Sequence, residues 1–242
     1  MAATAALVVA GGGGKRMGGG LPKQFHQLGE KTILQRSLEI FEQLDKVTAL
    51  YLVLPEQYLE QYEQYLDLSQ LSKFKRAVAG GVRRQDSVAN GLAAIEEDNS
   101  AEIVAVHDAV RPFTQPRLIA DAITMATASG AAILATPSIN TLKRCDQTGR
   151  ITSTLDRSII WNAQTPQVFK LGLLLQAYRS VTEDEQAITD EAQAVERLGR
   201  PVELVKSPET NFKITTTADL TFAEWFLTQQ EKDAQTTLSS NG

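Results

Sequence analysis

The stretch LVVAGGGGKRMGGGLPKQ, residues 7–24, joins a buried-strand signal to a glycine turn and then to Lys15, Arg16 and Lys23. Four consecutive glycines remove every Cβ where the backbone would approach a ligand, and the turn leaves its N–H groups pointing at an anion. Basic side chains on both sides of the turn favour a ligand with several negative charges, and a triphosphate fits. The usual phosphate motifs fail on the same letters. A Walker A loop needs glycine at position 9, which is Val9, and Ser or Thr after the lysine, which is Arg16. A dinucleotide fingerprint begun at Gly11 or Gly12 ends on Arg16 or Met17.

Outside this stretch, short apolar runs recur at 6–9, 49–54, 75–79, 103–106, 131–136 and 201–205. Amphipathic stretches of helical length separate most of them, at 32–43, 57–65, 87–97, 115–129 and 171–178. The alternation predicts an α/β fold with a mostly parallel sheet and helices on both faces. Ligands of such sheets bind at the carboxyl ends of the strands. The glycine turn, Gly80-Gly81 and His107-Asp108 all fall at such ends, so three polar signals meet on one edge.

Residues 137–167 interrupt the rhythm. Asp146, Gln147 and Gly149 mark a turn between stretches that mix Thr, Ile and Leu with charge, the pattern of a projecting hairpin arm at about 138–162. Such an arm cannot bury Ile151, Leu155, Ile159, Ile160 and Trp161 by itself, which predicts a homodimer through a second copy of the arm; the alternative is an arm folded back on its own domain.

With 242 residues the chain suits one generous domain, expected at 1–230, followed by a polar, frayed tail at 231–242. A net charge of -5 with no polybasic tract argues against nucleic acid. One cysteine and two histidines offer no disulfide and no zinc cluster, and point to a reducing compartment. No apolar run is long enough to span a bilayer, and the run at 2–10 lacks the basic flank of a signal peptide. The expected location is a bacterial cytoplasm, with a plastid stroma second because no basic, serine-rich transit segment is seen.

Asp108, at a strand end opposite the glycine turn, is the candidate for Mg²⁺, which takes oxygen ligands and shares them with phosphate; the plainer alternative is a helix cap. His107 reads as a structural histidine at the sheet edge and not as a base. Asp190 and Glu191 read as a solvated helix face or a cap, or else Thr189 and Asp190 line the site through the loop before that helix. Arg157, if arms exchange between subunits, reaches a phosphate in the neighbouring site. Lys213 adds a cation far along the chain, though exposed lysines are common.

Six blocks in register, AGGGGKRM…PKQ (10–24), GGVRRQDSV (80–88), HDAVRP (107–112), DRSIIWNAQTPQ (156–167), TDE (189–191) and NFKIT (211–215), strongly resemble the 2-C-methyl-D-erythritol 4-phosphate cytidylyltransferase family over about residues 5 to 228. The resemblance implies a Rossmann-like nucleotidyltransferase fold, a dimer through an exchanged arm, and transfer of CMP from CTP with release of pyrophosphate. It implies that Ala10, Gly11, Gly12, Gly13 and Gly14 cradle the nucleotide, with Lys15 beside the departing pyrophosphate. Arg16 and Lys23 become phosphate clamps, Lys23 at the pentacoordinate phosphorus, and Lys213 the second essential lysine. Gly81 and Ser87 resemble base and ribose contacts, Asp108 the Mg²⁺ ligand, and Arg111, Thr141, Arg157 and Thr165 the sugar-phosphate pocket. Two departures stand out: Gly11 where relatives often carry Ala, and Val82 where several carry a polar or acidic residue. The glycines at 18–20 predict a loose lid that orders on CTP. The nearest rival is a ribitol-5-phosphate cytidylyltransferase, next a sugar-1-phosphate enzyme using another nucleotide, and last a non-catalytic nucleotide-binding protein.

Overall fold

The computed structural model describes residues 2–11 and 20–240. Its strands are β1 (Thr4–Val9), β2 (Gln27–Leu28), β3 (Lys31–Thr32), β4 (Val47–Leu54), β5 (Phe74–Ala79), β6 (Ile103–Asp108), β7 (Ala131–Pro137), β8 (Lys143–Cys145), β9 (Ile151–Thr154), β10 (Trp161–Lys170) and β11 (Glu203–Lys206). Its helices are α1 (Ile33–Glu42), α2 (Arg84–Glu97), α3 (Pro116–Ser129), α4 (Leu171–Glu183), α5 (Glu191–Arg197) and α6 (Thr217–Ser240). Seven strands form one sheet in the order β11-β7-β10-β6-β1-β4-β5. Only β10 runs antiparallel to its neighbours.

Period-two alternation divides the core. Ala6 and Val8 of β1 face a cluster with Leu34, Leu38 and Phe41 of α1 and Ile119 and Ile123 of α3. Ala5, Leu7 and Val9 face the opposite cluster, with Val88, Leu92 and Ile95 of α2 and Leu174 and Val181 of α4. Every residue of β1 is buried, as expected of a parallel strand covered on both sides. At about 25 cal/mol per Å² of apolar surface, the buried Leu and Val side chains of the strand each contribute roughly 1.5–3 kcal/mol. Chain order reverses between β1 and β6, and the crevice beyond their carboxyl ends is where sheets of this kind bind ligands.

Three expectations need correction. The stretch 57–65 is not an α-helix but short 3-10 turns without side-chain caps, because Tyr58 and Tyr65 turn in to pack on Phe25. Residues 231–240, expected as a frayed tail, continue α6: they contain neither glycine nor proline, and Ala, Gln, Lys and Glu propagate a helix. The interruption at 137–167 conceals β10, a full strand of the main sheet. Pro166 hid it, since a central strand rarely tolerates proline; the ladder shifts register between Ala163 and Gln167 and so passes over it.

The hairpin of β8 and β9 turns at Asp146–Gly149, where Asp146 Oδ1 accepts from the Thr148 and Arg150 amides. Its strands are exposed throughout and pair only with each other. Ile139, Ile151 and Ile159 are 62%, 64% and 75% exposed, so the arm is not folded back on the domain.

Candidate active site

A cleft of about 650 Å³ opens beyond the carboxyl ends of β1, β5 and β6, with Gly11, Lys23, Gly81, Ser87, Asp108 and Lys213 among its lining. Each is placed by a buried neighbour. Lys23 stands on a 3-10 turn whose next residues are inside: Gln24 donates from Nε2 to the Ala10 carbonyl at 2.7 Å, and Phe25 stacks on Tyr65. Lys213 is flanked by buried Asn211 and Ile214. The Ile214 amide donates to the Val110 carbonyl, and Asn211 Nδ2 donates to Gln164 Oε1 and the Thr165 carbonyl.

The glycines meet around one hydroxyl. Ser87 Oγ accepts from the Gly81 amide at 3.0 Å and donates to the Arg83 carbonyl. A Cβ on Gly81 would lie 2.3 Å from Asp86 Cβ, and one on Gly11 would lie 2.8 Å from Ser87 Oγ. The absence of a Cβ at Gly11 therefore leaves room for the serine hydroxyl. Val82, beside this group, is fully exposed at the cleft rim.

Asp108 closes β6 with its side chain 10% exposed, ringed by cations. Lys213 Nζ lies 2.9 Å from Oδ2, Arg84 Nε 3.3 Å from Oδ1, and Arg111 Nε 3.6 Å from Oδ2. Burial alone would raise this carboxyl, but Arg84, Lys213 and Arg111 hold it well below the usual carboxylate range. It is an anion at neutral pH. It caps no helix, so the alternative reading of Asp108 falls away.

Behind it, the Asp108 amide donates to Thr165 Oγ1 at 3.0 Å, and Thr165 meets His107 Nδ1 at 3.1 Å. His107 Nε2 faces the Arg111 carbonyl, which can only accept, so Nε2 carries the proton and Nδ1 accepts from the threonine hydroxyl. Burial pushes His107 down to about 4. A neutral, doubly bonded, fully buried imidazole is a structural group. Thr165 and Arg111 thus back Asp108 and do not line the cleft wall.

Other expected site residues lie elsewhere. Asp190 caps α5 by accepting from the Gln193 amide and also accepts from Gln167 Nε2; neither it nor Thr189 lines the cleft. Helix capping was the plainer reading of Asp190, and the amide donors at the α5 terminus account for it. Thr141 and Arg157 sit on the arm, where Arg157 Nη1 donates to the Ile139 carbonyl. Gly12, Gly13, Gly14, Lys15 and Arg16 lie outside the described residues, as does most of the lid at 18–20.

Arg84, Gln24 and Asn211 were not singled out in the sequence, and Glu191, expected as a cap or a solvated face, is instead buried beside the site. Glu191 is 0% exposed and grips Arg84 on two oxygens, at 2.6 and 3.0 Å. All four belong to the six quoted blocks. Gln24 and Asn211 gave no signal because their buried amides act through partners distant in sequence. Arg84, one of two arginines after a glycine pair at a strand end, was open to suspicion.

Among the described residues no three His, Cys, Asp or Glu side chains gather as a metal cluster. Asp108, a carboxylate lining the cleft, is the kind of oxygen donor that Mg²⁺ takes one or two of, completing its shell with substrate oxygens and water.

The family model for 2-C-methyl-D-erythritol 4-phosphate cytidylyltransferase matches residues 4–229. The chain is 42% identical to the enzyme of that name from Syntrophus aciditrophicus over 93% of this chain and 96% of the relative. It is 39% identical to that of Halalkalibacterium halodurans, over 90% and 94%. Among solved structures, 4-diphosphocytidyl-2C-methyl-D-erythritol synthase from Anaerococcus prevotii is similar with a TM-score of 0.82 and 29% identity, over 93% of this chain and 96% of that one.

Proposed function

The chain belongs to the 2-C-methyl-D-erythritol 4-phosphate cytidylyltransferase family, and from that premise we infer how its cleft works. The enzyme transfers CMP from CTP to 2-C-methyl-D-erythritol 4-phosphate, giving 4-diphosphocytidyl-2-C-methyl-D-erythritol and pyrophosphate. Both reactants are anions. At an effective permittivity of 20, two unit charges 4 Å apart repel by about 4 kcal/mol, so cations are the first requirement. The observation that carries this reading is the convergence of Lys23, Lys213 and Arg84 with Asp108 on one glycine-lined cleft.

The attacking phosphomonoester oxygen is already ionised near neutral pH, which makes a general base unnecessary; His107, buried and neutral, supplies none. Lys23 and Lys213 stabilise charge as it builds on the α-phosphoryl oxygens during in-line attack. Lys15 and Arg16 receive the departing pyrophosphate. Gly81 and Ser87 hold base and ribose, the former through backbone groups because Val82 offers no polar atom. Asp108 is the residue that would hold Mg²⁺ together with triphosphate oxygens; when bound, the ion neutralises phosphate charge.

Arg111 and Thr165 serve the acceptor side indirectly, by holding Asp108 from behind, and Thr189 and Asp190, at the start of α5, lie outside the cleft lining. Thr141 and Arg157 reach the acceptor side from the arm of a second subunit. A homodimer is supported by the exposed isoleucines of the arm, which two copies would cover together.

Pyrophosphate release measured with CTP and either methylerythritol phosphate or ribitol 5-phosphate tests the substrate. Turnover should require the first acceptor, and faster turnover with the second would reject the reading.

A further inference from the structure

Glu191 has no part in the mechanism above, yet it is the most deeply buried carboxylate beside the site. It lies at the first turn of α5 with no exposed surface, accepts from Arg84 Nη1 and Nη2, and accepts from the Tyr178 hydroxyl on Oε1 at 3.0 Å. Arg84 uses its remaining Nε on Asp108 Oδ1, at a longer 3.3 Å. One guanidinium thus joins two carboxylates unequally: its two-pronged fork goes to Glu191, and a single N–H goes to the carboxylate that faces the cleft.

That division matters because an arginine fork prefers to bind a carboxylate on both oxygens. An Arg84 without Glu191 would find its nearest bidentate partner in Asp108. We propose that Glu191 is a positioning residue that retains Arg84, so that Asp108 keeps an oxygen for a divalent cation and for Lys213. This rests on the assignment of Asp108 as the cation ligand. Glu191 touches no reacting atom and acts wholly through Arg84. Its anchorage is independent of the cleft: Tyr178 belongs to α4, and the neighbouring Ala192 amide donates to Gln167 Oε1 on β10.

The test measures Mn²⁺ binding to the enzyme with CTP by water-proton relaxation, alongside the Mg²⁺ concentration at half-maximal turnover. Glu191→Gln should weaken both about tenfold, while kcat at saturating Mg²⁺ and the KM for the acceptor stay within about twofold. Glu191→Asp, which keeps the charge, should stay within about threefold of wild type. Most tellingly, adding Arg84→Gln to Glu191→Gln should restore Mn²⁺ binding, since the competitor for Asp108 is gone. A double variant as weak as the single, or a Glu191→Gln loss confined to kcat, overturns the proposal.

If Glu191→Gln does not fold, Tyr178→Phe removes one donor from Glu191 and leaves every charge in place. It should weaken Mn²⁺ binding about threefold; an unchanged constant overturns the proposal. Asp108→Asn separates the two levels. If it leaves Mn²⁺ binding at wild type, the cation assignment fails and this inference with it; if it weakens binding and Glu191→Gln does not, only this inference fails.

Discussion

Lys213 reaches the cleft because its neighbours are fastened inside, Asn211 by three side-chain hydrogen bonds and Ile214 by complete burial. Truncating it should leave that anchorage intact. Lys213→Ala is expected to lower kcat by about 10²-fold with a smaller change in CTP affinity, the pattern of a contact formed mainly in the transition state. Steady-state kinetics returning a wild-type kcat would remove Lys213 from the mechanism. Stability has its own residue-scale signature in His107. Its folded pKa of about 4 lies below the ordinary 6.5, so between those values the unfolded chain binds the extra proton and stability rises with pH. The contribution, about 3 kcal/mol at most, is complete above pH 6.5 and is lost as pH falls toward 4. Denaturant unfolding from pH 4.5 to 7.5 should show a slope that His107→Gln flattens, and equal slopes would contradict it.

At the level of elements, the arm carries the quaternary prediction. Two inactive variants, Arg157→Ala and Lys23→Ala, should regain about one quarter of wild-type activity when their subunits exchange at random, because half the dimers then hold one intact site of two. A mixture no more active than its parents would place each site within one chain. The elements differ in how readable they were. β1, β4, β6 and β7 declared themselves as short apolar runs, because parallel strands buried on both faces tolerate little else. The arm declared itself by the opposite, apolar residues scattered among charges around an Asp-to-Gly turn. β10 did not, since its proline looks like a strand breaker until the register shift is seen. α5 is seven residues long, and only its capping aspartate marks where it begins.

Across the molecule, an acidic chain of net charge -5 concentrates cations at one edge of its sheet. The sheet accounts for this: β1 and β6 end side by side, and the segments after β5 and β11 bring Arg84 and Lys213 to the same place from 129 residues apart in sequence, a distance (213 minus 84) that no local pattern spans. Asp108 was legible because it closes a strand, and Lys23 because it is a basic residue following the glycine turn. The Arg84–Glu191 pair was not, because it exists only once α2 and α5 are packed on the same face. A crystal structure of the enzyme grown with CTP and Mg²⁺ tests the whole arrangement most directly. The triphosphate should be seated against the Gly11 turn between Lys23 and Lys213, with the metal on Asp108; a triphosphate bound away from that turn would rule this arrangement out.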